Sequence, residues 1–304
     1  MRLAPRIAGV IKIIVALFVI ADVLLLVPQT RHLMLYWACY ELRCPLSAVV
    51  RTPETQRVRA AAGVRLESAI RLQREDGNYR LWQTPKGPIW MPVGSDHLVR
   101  FLMAEQETQV YETDRARVNP GDVVLDCGAH VGIYTREALR AGARLVVAVE
   151  PGPENLECLR RNVAEELKEG RVIICPKGVW DREAQLALRR DPGNSGADRV
   201  VTAGNEGDLR VPLTTIDNLV EELRLERVDF IKMDIEGAER RALRGAQKTL
   251  ARYRPRLAIA SYHLPGDYEA IPSAVLAGWS GYRSACRSCA VVDKALVPEV
   301  LFFH

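Results

Sequence analysis

The sequence predicts an α/β fold in which a doubly wound, mostly parallel sheet of seven strands follows an N-terminal transmembrane helix. Three observations support this prediction. Residues 122–150 read as a strand, a glycine-containing turn, a helix and a second strand. Residues 228–261 repeat the order of strand, helix and strand, which is typical of a parallel sheet. Residues 10–27 are apolar enough and long enough to cross a bilayer.

The apolar segment at residues 10–27 predicts a membrane anchor. Its only charged residues are Lys12 and Asp22, and a helix of this length spans about 27 Å. A cleaved signal peptide is the alternative, because Arg2 and Arg6 precede the apolar run, although no small-x-small cleavage site follows it. Positive residues flank both ends of the segment, so they do not decide its orientation.

The turn after the first strand predicts a site for a nucleoside cofactor. Asp126 closes the strand, and Gly128 and Gly132 lie in the turn before the next helix. Glycines let the backbone approach a ligand closely, and the start of a helix offers free N–H groups. Glu150 ends the neighbouring strand, where an acid is well placed to bind ribose hydroxyls.

The residues within this turn indicate which cofactor it binds. Dinucleotide sites favour G-x-G-x-x-G, but His130 stands at the middle glycine position. A carboxylate at Asp126 would repel a pyrophosphate and attract a sulfonium, which favours S-adenosylmethionine over NAD. Two alternatives remain: an NAD-dependent oxidoreductase, and a domain whose glycines serve only a tight turn.

Five short motifs follow one another along the chain. They are the turn at residues 126–132, Glu150-Pro151 with Asn155-Leu156, Thr215-Ile216-Asp217, the run IKMDIEGAE at residues 231–239, and Tyr262-His263. Together they resemble the FkbM family of S-adenosylmethionine-dependent methyltransferases. The resemblance covers roughly residues 105–282 and leaves the chain before it unexplained.

The resemblance implies a methyltransferase with a Rossmann-like sheet and S-adenosylmethionine as cofactor. It also implies O-methylation of a hydroxyl on a sugar, a lipid-linked glycan or a small metabolite. In a doubly wound sheet, ligands bind at the carboxyl ends of the strands. The cofactor-binding residues predicted there are Asp126, Gly128, Ala129, His130, Gly132, Glu150, Pro151, Gly178 and Asp234.

Methyl transfer to a hydroxyl needs a proton acceptor beside the methyl group. His263 is the candidate general base, because the unperturbed pKa of histidine suits proton removal near neutrality. Asp234 and Glu236 compete for this role, since carboxylates two residues apart can raise each other's pKa. Both carboxylates also suit a divalent cation, as in catechol-type methyltransferases. The sequence does not place further ligands for such a site, so we expect no metal.

Two further segments are predicted to border the site. In this family the segment before the first core strand tends to cover the cofactor pocket, so Glu107, Tyr111 and Glu112 are candidates to meet the methionine end of the cofactor. Solvated residues before a strand are the alternative. The loop Asn194-Ser195-Gly196 is a candidate contact for the acceptor.

Composition and charge complete the prediction. The formal net charge of +4 includes no long basic run, so nucleic-acid binding is not expected. The seven scattered cysteines fit a reducing compartment. We therefore expect a single-pass membrane protein whose catalytic domain faces the cytoplasm, where S-adenosylmethionine is made, and we rank a lumenal domain second.

The predicted organisation is an anchor at residues 1–30, an extension with a helix and a β-hairpin at residues 31–104, and the methyltransferase domain at residues 105–304. The alternative from another functional class is a degenerate methyltransferase-like scaffold at a membrane, without catalysis.

Overall fold

The computed structural model describes residues 40–191, 193–202 and 209–304. A seven-stranded sheet forms its centre, and five adjacent strands of this sheet are parallel. One strand near the edge runs antiparallel to both of its neighbours. In spatial order the strands are β14 Ser284–Cys286, β17 Val300–Phe303, β13 Arg256–Ala260, β12 Phe230–Met233, β5 Val123–Cys127, β6 Leu145–Val149 and β7 Val172–Cys175. The predicted seven-stranded, mostly parallel sheet is confirmed.

Helices cover both faces of this sheet. Along each central strand, alternate residues belong to two separate apolar cores: Leu125 and Ile231 to one, and Val124 and Phe230 to the other. Burial on both faces explains why these strands read as continuous apolar runs. The helices are α3 Ile133–Arg140, α4 Pro153–Asn162, α5 Ala164–Lys168, α6 Ile216–Glu222, α7 Glu239–Arg244, α8 Gln247–Tyr253 and α9 Asp267–Gly278.

The extension before the sheet packs against the beginning of the central domain. Its elements are β1 Glu41–Leu42, α1 Leu46–Ala69, β2 Arg71–Asp76, β3 Tyr79–Thr84, β4 Gly87–Pro92 and α2 Leu98–Glu107. Three antiparallel strands, β2, β3 and β4, form a sheet where the sequence predicted a two-stranded hairpin. Leu66, Met91 and Met103 of the extension share one apolar core with Val131 and Ile133.

Two smaller sheets flank the central one. Besides β1, their strands are β8 Gly178–Val179, β9 Ala184–Arg189, β10 Arg199–Val201, β11 Arg210–Thr214, β15 Cys289–Val292 and β16 Ala295–Pro298. The first sheet has the order β10–β9–β11–β8, and the second has the order β1–β16–β15.

The expected transmembrane helix requires a correction. The segment at residues 10–27 lies outside the described residues. Within the described ranges no helix combines the length and the apolar character needed to cross a bilayer. The longest of these helices, α1, carries charged residues throughout its length. The placement as a single-pass membrane protein with a cytoplasmic catalytic domain is therefore withdrawn.

The expectation of uniformly reduced cysteines was also wrong. Cys44 and Cys289 form a disulfide with an S–S distance of 2.02 Å. The free thiol of Cys286 lies 3.8 Å from Cys44 Sγ. The paired cysteines are 245 residues apart in the sequence, so their spacing gave no sign of the pairing. The disulfide joins the start of α1 to β15.

Candidate active site

A cavity opens where β5, β6 and β12 end. Its lining includes six of the predicted cofactor residues: Gly128, His130, Glu150, Pro151, Gly178 and Asp234. A second cavity beside it is lined by Ala129, together with Gly128, His130 and Asp234. Asp126 and Gly132 line neither of these two cavities. Seven of the nine predicted residues therefore line one or both of these cavities, while Asp126 and Gly132 do not.

Glu150 is fixed in place by three donors. Its Oε2 accepts the N–H of His130 at 2.9 Å, and its Oε1 accepts the N–H of Gly152 at 2.8 Å and Asn155 Nδ2 at 3.3 Å. Burial raises the pKa of Glu150 to about 7, and these three hydrogen bonds limit the rise. The result is a preoriented carboxylate on the cavity wall that can accept hydroxyl protons in hydrogen bonds.

Asp126 forms a buried ion pair. Its Oδ1 lies 3.2 Å from Lys232 Nζ, and its Oδ2 accepts the hydroxyl of Thr135 at 2.6 Å. The reason is the register of the sheet, which places Lys232 of β12 opposite Asp126 of β5. Lys232 Nζ also donates to the carbonyl oxygen of Gly128 at 2.7 Å. Asp126 is thus neutralised and supports the turn from below, so it does not present the free charge that the sequence argument assigned to it.

The two turn glycines allow close packing. Gly128 has φ +79°, and a Cβ at this position would lie 1.9 Å from the backbone oxygen of Asp234. Gly132 has φ +88°, and a Cβ there would lie 2.6 Å from Leu159 Cδ1 on α4. Only a residue without a side chain fits either position. Gly128 thereby brings the turn against the end of β12, while Gly132 serves the packing of α3.

His130 connects the turn to the loop before β10. Burial, followed by the charge of Lys232, lowers the pKa of His130 to about 4, so its ring is neutral near pH 7. Its Nε2 lies 2.9 Å from the hydroxyl oxygen of Ser195, and Asn155 donates to the Ser195 carbonyl at 3.0 Å. Ser195 and Gly196 line the first cavity. The sequence analysis had predicted this loop on the acceptor side.

Three predicted catalytic residues converge beside the cavity. Asp234 and Glu236 follow β12, and His263 follows β13. His263 Nε2 lies 3.3 Å from Asp234 Oδ1 and 3.4 Å from Glu236 Oε1. A fourth residue, which the sequence analysis missed, is Glu239 at the start of α7. Its fully buried carboxylate lies 2.9 Å from His263 Nδ1 and fixes the orientation of the ring.

These carboxylates change the ionisation of His263. Burial alone would lower its pKa, but the contacts with Glu236 and Glu239 and the charge of Asp234 raise the pKa to about 11. Burial would likewise raise the pKa of Asp234, but the charges of His263 and Lys232 hold it below its usual value. His263 is therefore a cation at neutral pH, contrary to the ordinary pKa that the sequence argument assumed.

Residues of α2 and of the segment that follows it also lie beside this cluster. Tyr111 donates its hydroxyl to Asp234 Oδ2. Tyr111 lines the second cavity but not the first, and Glu107 and Glu112 line neither of the two. Glu105 lines the neighbouring cavity, and burial raises its pKa to about 8 despite the charge of Arg59. No motif marks Glu105 in the sequence, so it was not predicted.

The fold and the cavity define a class of protein, the methyltransferases, and comparison of the sequence with family models agrees. The model described as the Methyltransferase FkbM domain matches residues 126–280, which is half of the chain. This protein belongs to the FkbM methyltransferase family. The match covers the turn after β5, Glu150 and the cluster around His263.

Characterised relatives are similar over part of their length. The chain is 25% identical over 158 residues to the hexuronic acid methyltransferase AglP of Haloferax volcanii, covering 52% of this chain and 58% of that protein. It is 24% identical to the 31-O-demethyl-FK506 methyltransferase FkbM of Streptomyces tacrolimicus, covering 49% and 68%. It is 26% identical to the 2-O-methyltransferase NoeI of Sinorhizobium fredii, covering 44% and 61%.

Among solved structures, the methyltransferase FkbM of Methylobacillus flagellatus superposes with a TM-score of 0.48 at 19% sequence identity. The superposition covers 70% of this chain and 56% of that chain.

Proposed function

We propose that this protein is an S-adenosylmethionine-dependent O-methyltransferase that acts on a hydroxyl of a sugar, a glycan or a small metabolite. One observation carries the proposal. A single cavity has a carboxylate suited to a ribose, Glu150, on one wall and the acid pair Asp234 and Glu236 on another. A nucleoside-bound methyl donor and an acceptor hydroxyl are the two ligands that such a cavity brings together.

The residues present fit the cofactor. Glu150 is held by backbone and side-chain donors and lines the cavity, where its carboxylate can accept ribose hydroxyls. Gly128 leaves the turn open to a close approach, and Pro151 and Gly178 line the same cavity, where we assign the adenine. When bound, S-adenosylmethionine supplies a methyl group activated on a sulfonium. Asp234, an anion with a lowered pKa, lies where it would favour that positive charge.

We assign the binding and deprotonation of the acceptor to the cluster of Asp234, Glu236 and His263. Attack by a hydroxyl oxygen forms the oxygen–carbon bond, breaks the carbon–sulfur bond, and releases one proton. Because His263 is already protonated at neutral pH, we assign proton acceptance to Glu236, whose side chain is more exposed than that of Asp234 (27% against 19%). Asp234 and His263 position the oxygen. Alignment of the two reactants then supplies a large share of the rate acceleration.

The acceptor class follows from the relatives' names. One relative is named for a hexuronic acid and two for O-methylation. These names support a hydroxylated acceptor with several oxygens.

Titration calorimetry of the whole chain tests the cofactor. S-adenosylmethionine and NAD are titrated separately, and both titrations are repeated with Glu150→Ala. Binding of S-adenosylmethionine alone, lost in the variant, is the expected result. Absence of binding by either ligand would refute the proposal and favour a non-catalytic scaffold.

Transfer of a labelled methyl group to a panel of hydroxylated acceptors, with Glu236→Gln as the variant, then tests the reaction. We expect Glu236→Gln to bind the cofactor normally and to lose turnover.

A further inference from the structure

We propose that Asp234, Glu236 and His263 bind a divalent cation, which holds the acceptor through its reacting hydroxyl and a neighbouring oxygen. This inference rests on the proposed function, because it concerns the acceptor side of the same cavity. The sequence offered two carboxylates but no third ligand. The fold supplies the third by bringing the end of β13 beside the end of β12.

The geometry of the three ligand atoms suits a metal ion. Asp234 Oδ1, Glu236 Oε1 and His263 Nε2 all lie within 4.8 Å of one another, and the two distances from Nε2 are 3.3 Å and 3.4 Å. Metal–ligand bonds of about 2.1 Å place neighbouring ligand atoms about 3.0 Å apart in an octahedral site and about 3.4 Å apart in a tetrahedral site. The two distances from Nε2 therefore match the spacing of neighbouring ligand atoms around one metal ion, and the two carboxylate oxygens lie within 4.8 Å of each other.

The hydrogen bonding leaves these atoms available. The His263 side chain is 8% exposed, yet its Nε2 completes no hydrogen bond with any described residue. Asp234 Oδ1 is likewise without a hydrogen bond in the part of the chain that the structure describes. Buried polar atoms of this kind are rare unless a ligand or an ion satisfies them. The two atoms lie 3.3 Å apart, so one cation could contact both.

The surroundings resemble those of metal-binding histidines in general. A ligating histidine usually donates its other ring nitrogen to a carboxylate, which fixes the ring. Here Glu239, fully buried, lies 2.9 Å from Nδ1 and leaves Nε2 directed at Asp234 and Glu236. Three carboxylates thus surround one imidazole. In the metal-free protein Nε2 carries a proton near neutral pH, and a divalent cation would displace that proton as it binds and would compensate the negative charge in its place.

A cation held by three protein ligands keeps further positions open. Glu236 lines the cofactor cavity, so those positions face the space assigned to the substrates. A hydroxyl bound there loses its proton more readily, because the cation stabilises the alkoxide. The oxygen then takes the methyl carbon, the carbon–sulfur bond breaks with its electron pair staying on sulfur, and the proton passes to the second oxygen of Glu236. Two open positions favour an acceptor with adjacent oxygens, such as a vicinal diol.

The donor set of one imidazole nitrogen and two carboxylate oxygens suits Mn²⁺ or Zn²⁺ better than Ca²⁺. The test therefore titrates MnCl₂, and separately ZnCl₂, into the whole chain after removal of metals with a chelator. Neither cofactor nor acceptor is present. Calorimetry and the loss of the free Mn²⁺ resonance measure the binding, and we expect one ion per chain.

Variants separate this site from adventitious binding. We expect His263→Ala and Glu236→Gln each to weaken Mn²⁺ binding by at least about tenfold. His97→Ala and Glu222→Gln remove a histidine and an acid outside the cluster, and we expect both to bind as the wild type does. Circular dichroism at each titration confirms that the variants are folded. Should His263→Ala lose its fold, Glu236→Gln alone decides the result.

The outcomes distinguish the two proposals. No binding of Mn²⁺ or Zn²⁺, or equal binding by the folded His263 and Glu236 variants, would overturn the metal site. Binding of S-adenosylmethionine by the metal-free protein tests the proposed function separately. If the metal site is correct and transfer occurs, chelation should reduce methyl transfer by about a hundredfold, and added Mn²⁺ or Zn²⁺ should restore it.

Discussion

Replacement of Glu150 by glutamine tests the cofactor site most directly. Glutamine has the same shape, but one acceptor oxygen becomes an NH₂ group that cannot accept a ribose hydroxyl. A hydrogen bond to a charged group contributes about 1.5–3 kcal/mol. We therefore expect Glu150→Gln to raise the Kd for S-adenosylmethionine by about 10- to 150-fold at pH 8.

The pH dependence makes the prediction sharper. With a pKa of about 7, Glu150 is about 10% ionised at pH 6 and about 90% ionised at pH 8. The ratio of the variant Kd to the wild-type Kd should accordingly fall about tenfold when the pH is lowered from 8 to 6. Protonation of the cofactor itself changes the Kd of both proteins equally, so it cancels in this ratio. The charged group from a neighbouring segment that acts on Glu150 is Asp198, which raises the same pKa.

A rise in pH should affect the stability of the folded protein in the opposite direction to its effect on cofactor binding. A carboxyl whose pKa is raised on folding favours the folded state below its unfolded pKa and loses that contribution as pH rises through the folded value. For Glu150 the pKa is 4.5 in the unfolded chain and about 7 in the folded protein, so its contribution to stability is lost between these two pH values. The full pKa shift corresponds to about 3 kcal/mol of unfolding free energy. Between pH 5 and pH 8, the unfolding free energy of the wild type should fall relative to that of Glu150→Gln.

The assays are calorimetric titration at pH 6, 7 and 8, and urea unfolding at the same values and at pH 5. Glu154→Gln is the matched control. Glu154 also lies near the start of α4, but it pairs with Arg190 on the surface and does not line the cofactor cavity. A variant Kd within twofold of the wild type, or a ratio that does not change with pH, would refute the reasoning about Glu150.

Three further substitutions test the supporting structure. Gly128→Ala should abolish cofactor binding and destabilise the fold, because its Cβ would overlap the backbone oxygen of Asp234 at 1.9 Å; circular dichroism and calorimetry measure both effects. Gly63→Ala, which lies in α1 with no atom within 4 Å of its Cβ, should stabilise the protein by about 0.5–1 kcal/mol in urea unfolding. Lys232→Met leaves the Asp126 carboxylate buried and unpaired, so urea unfolding should show a loss of about 3–5 kcal/mol, and an undiminished stability would contradict the ion pair.

Local sequence patterns predicted the parts of the site that lie within one strand–turn–helix unit. The alternation of apolar runs and turns located the strand ends, and chemistry then assigned Glu150 to a ribose. The strand ends were located correctly, and the predicted residues meet because the carboxyl ends of parallel strands lie at one edge of the sheet. The same reasoning placed Asp234 and His263 together, although they belong to different units, because β12 and β13 are neighbours.

The register between strands could not be predicted. The sequence analysis saw Asp126 at a strand end and expected it to face the ligand. Whether its side chain faces a ligand or a cation depends on which residue of β12 stands opposite, and that residue is Lys232. A shift of one residue would exchange the two faces of the strand. Glu239 was missed for a related reason: its distance from His263 depends on where α7 begins, which the chain between them does not specify.

Contacts with the extension were equally hidden. The Cys44–Cys289 disulfide and the hydrogen bond from Tyr111 to Asp234 both join residues more than 100 positions apart. No periodicity or motif connects such pairs, because they depend on how the extension packs against the sheet.

Lys232 connects the buried carboxylate of Asp126 with Asp234, which lines both cavities. It is buried between Asp126 and Asp234, and although burial would lower its pKa, these two carboxylates raise it, so the amine is a permanent cation. Its contact with Asp126 and its hydrogen bond to Gly128 hold it beneath the turn. Asp126 thus offsets a positive charge that would otherwise act on Asp234 alone. Under the proposed function, the negative potential that Asp234 offers to the sulfonium therefore depends on Asp126, a carboxylate that lines neither cavity.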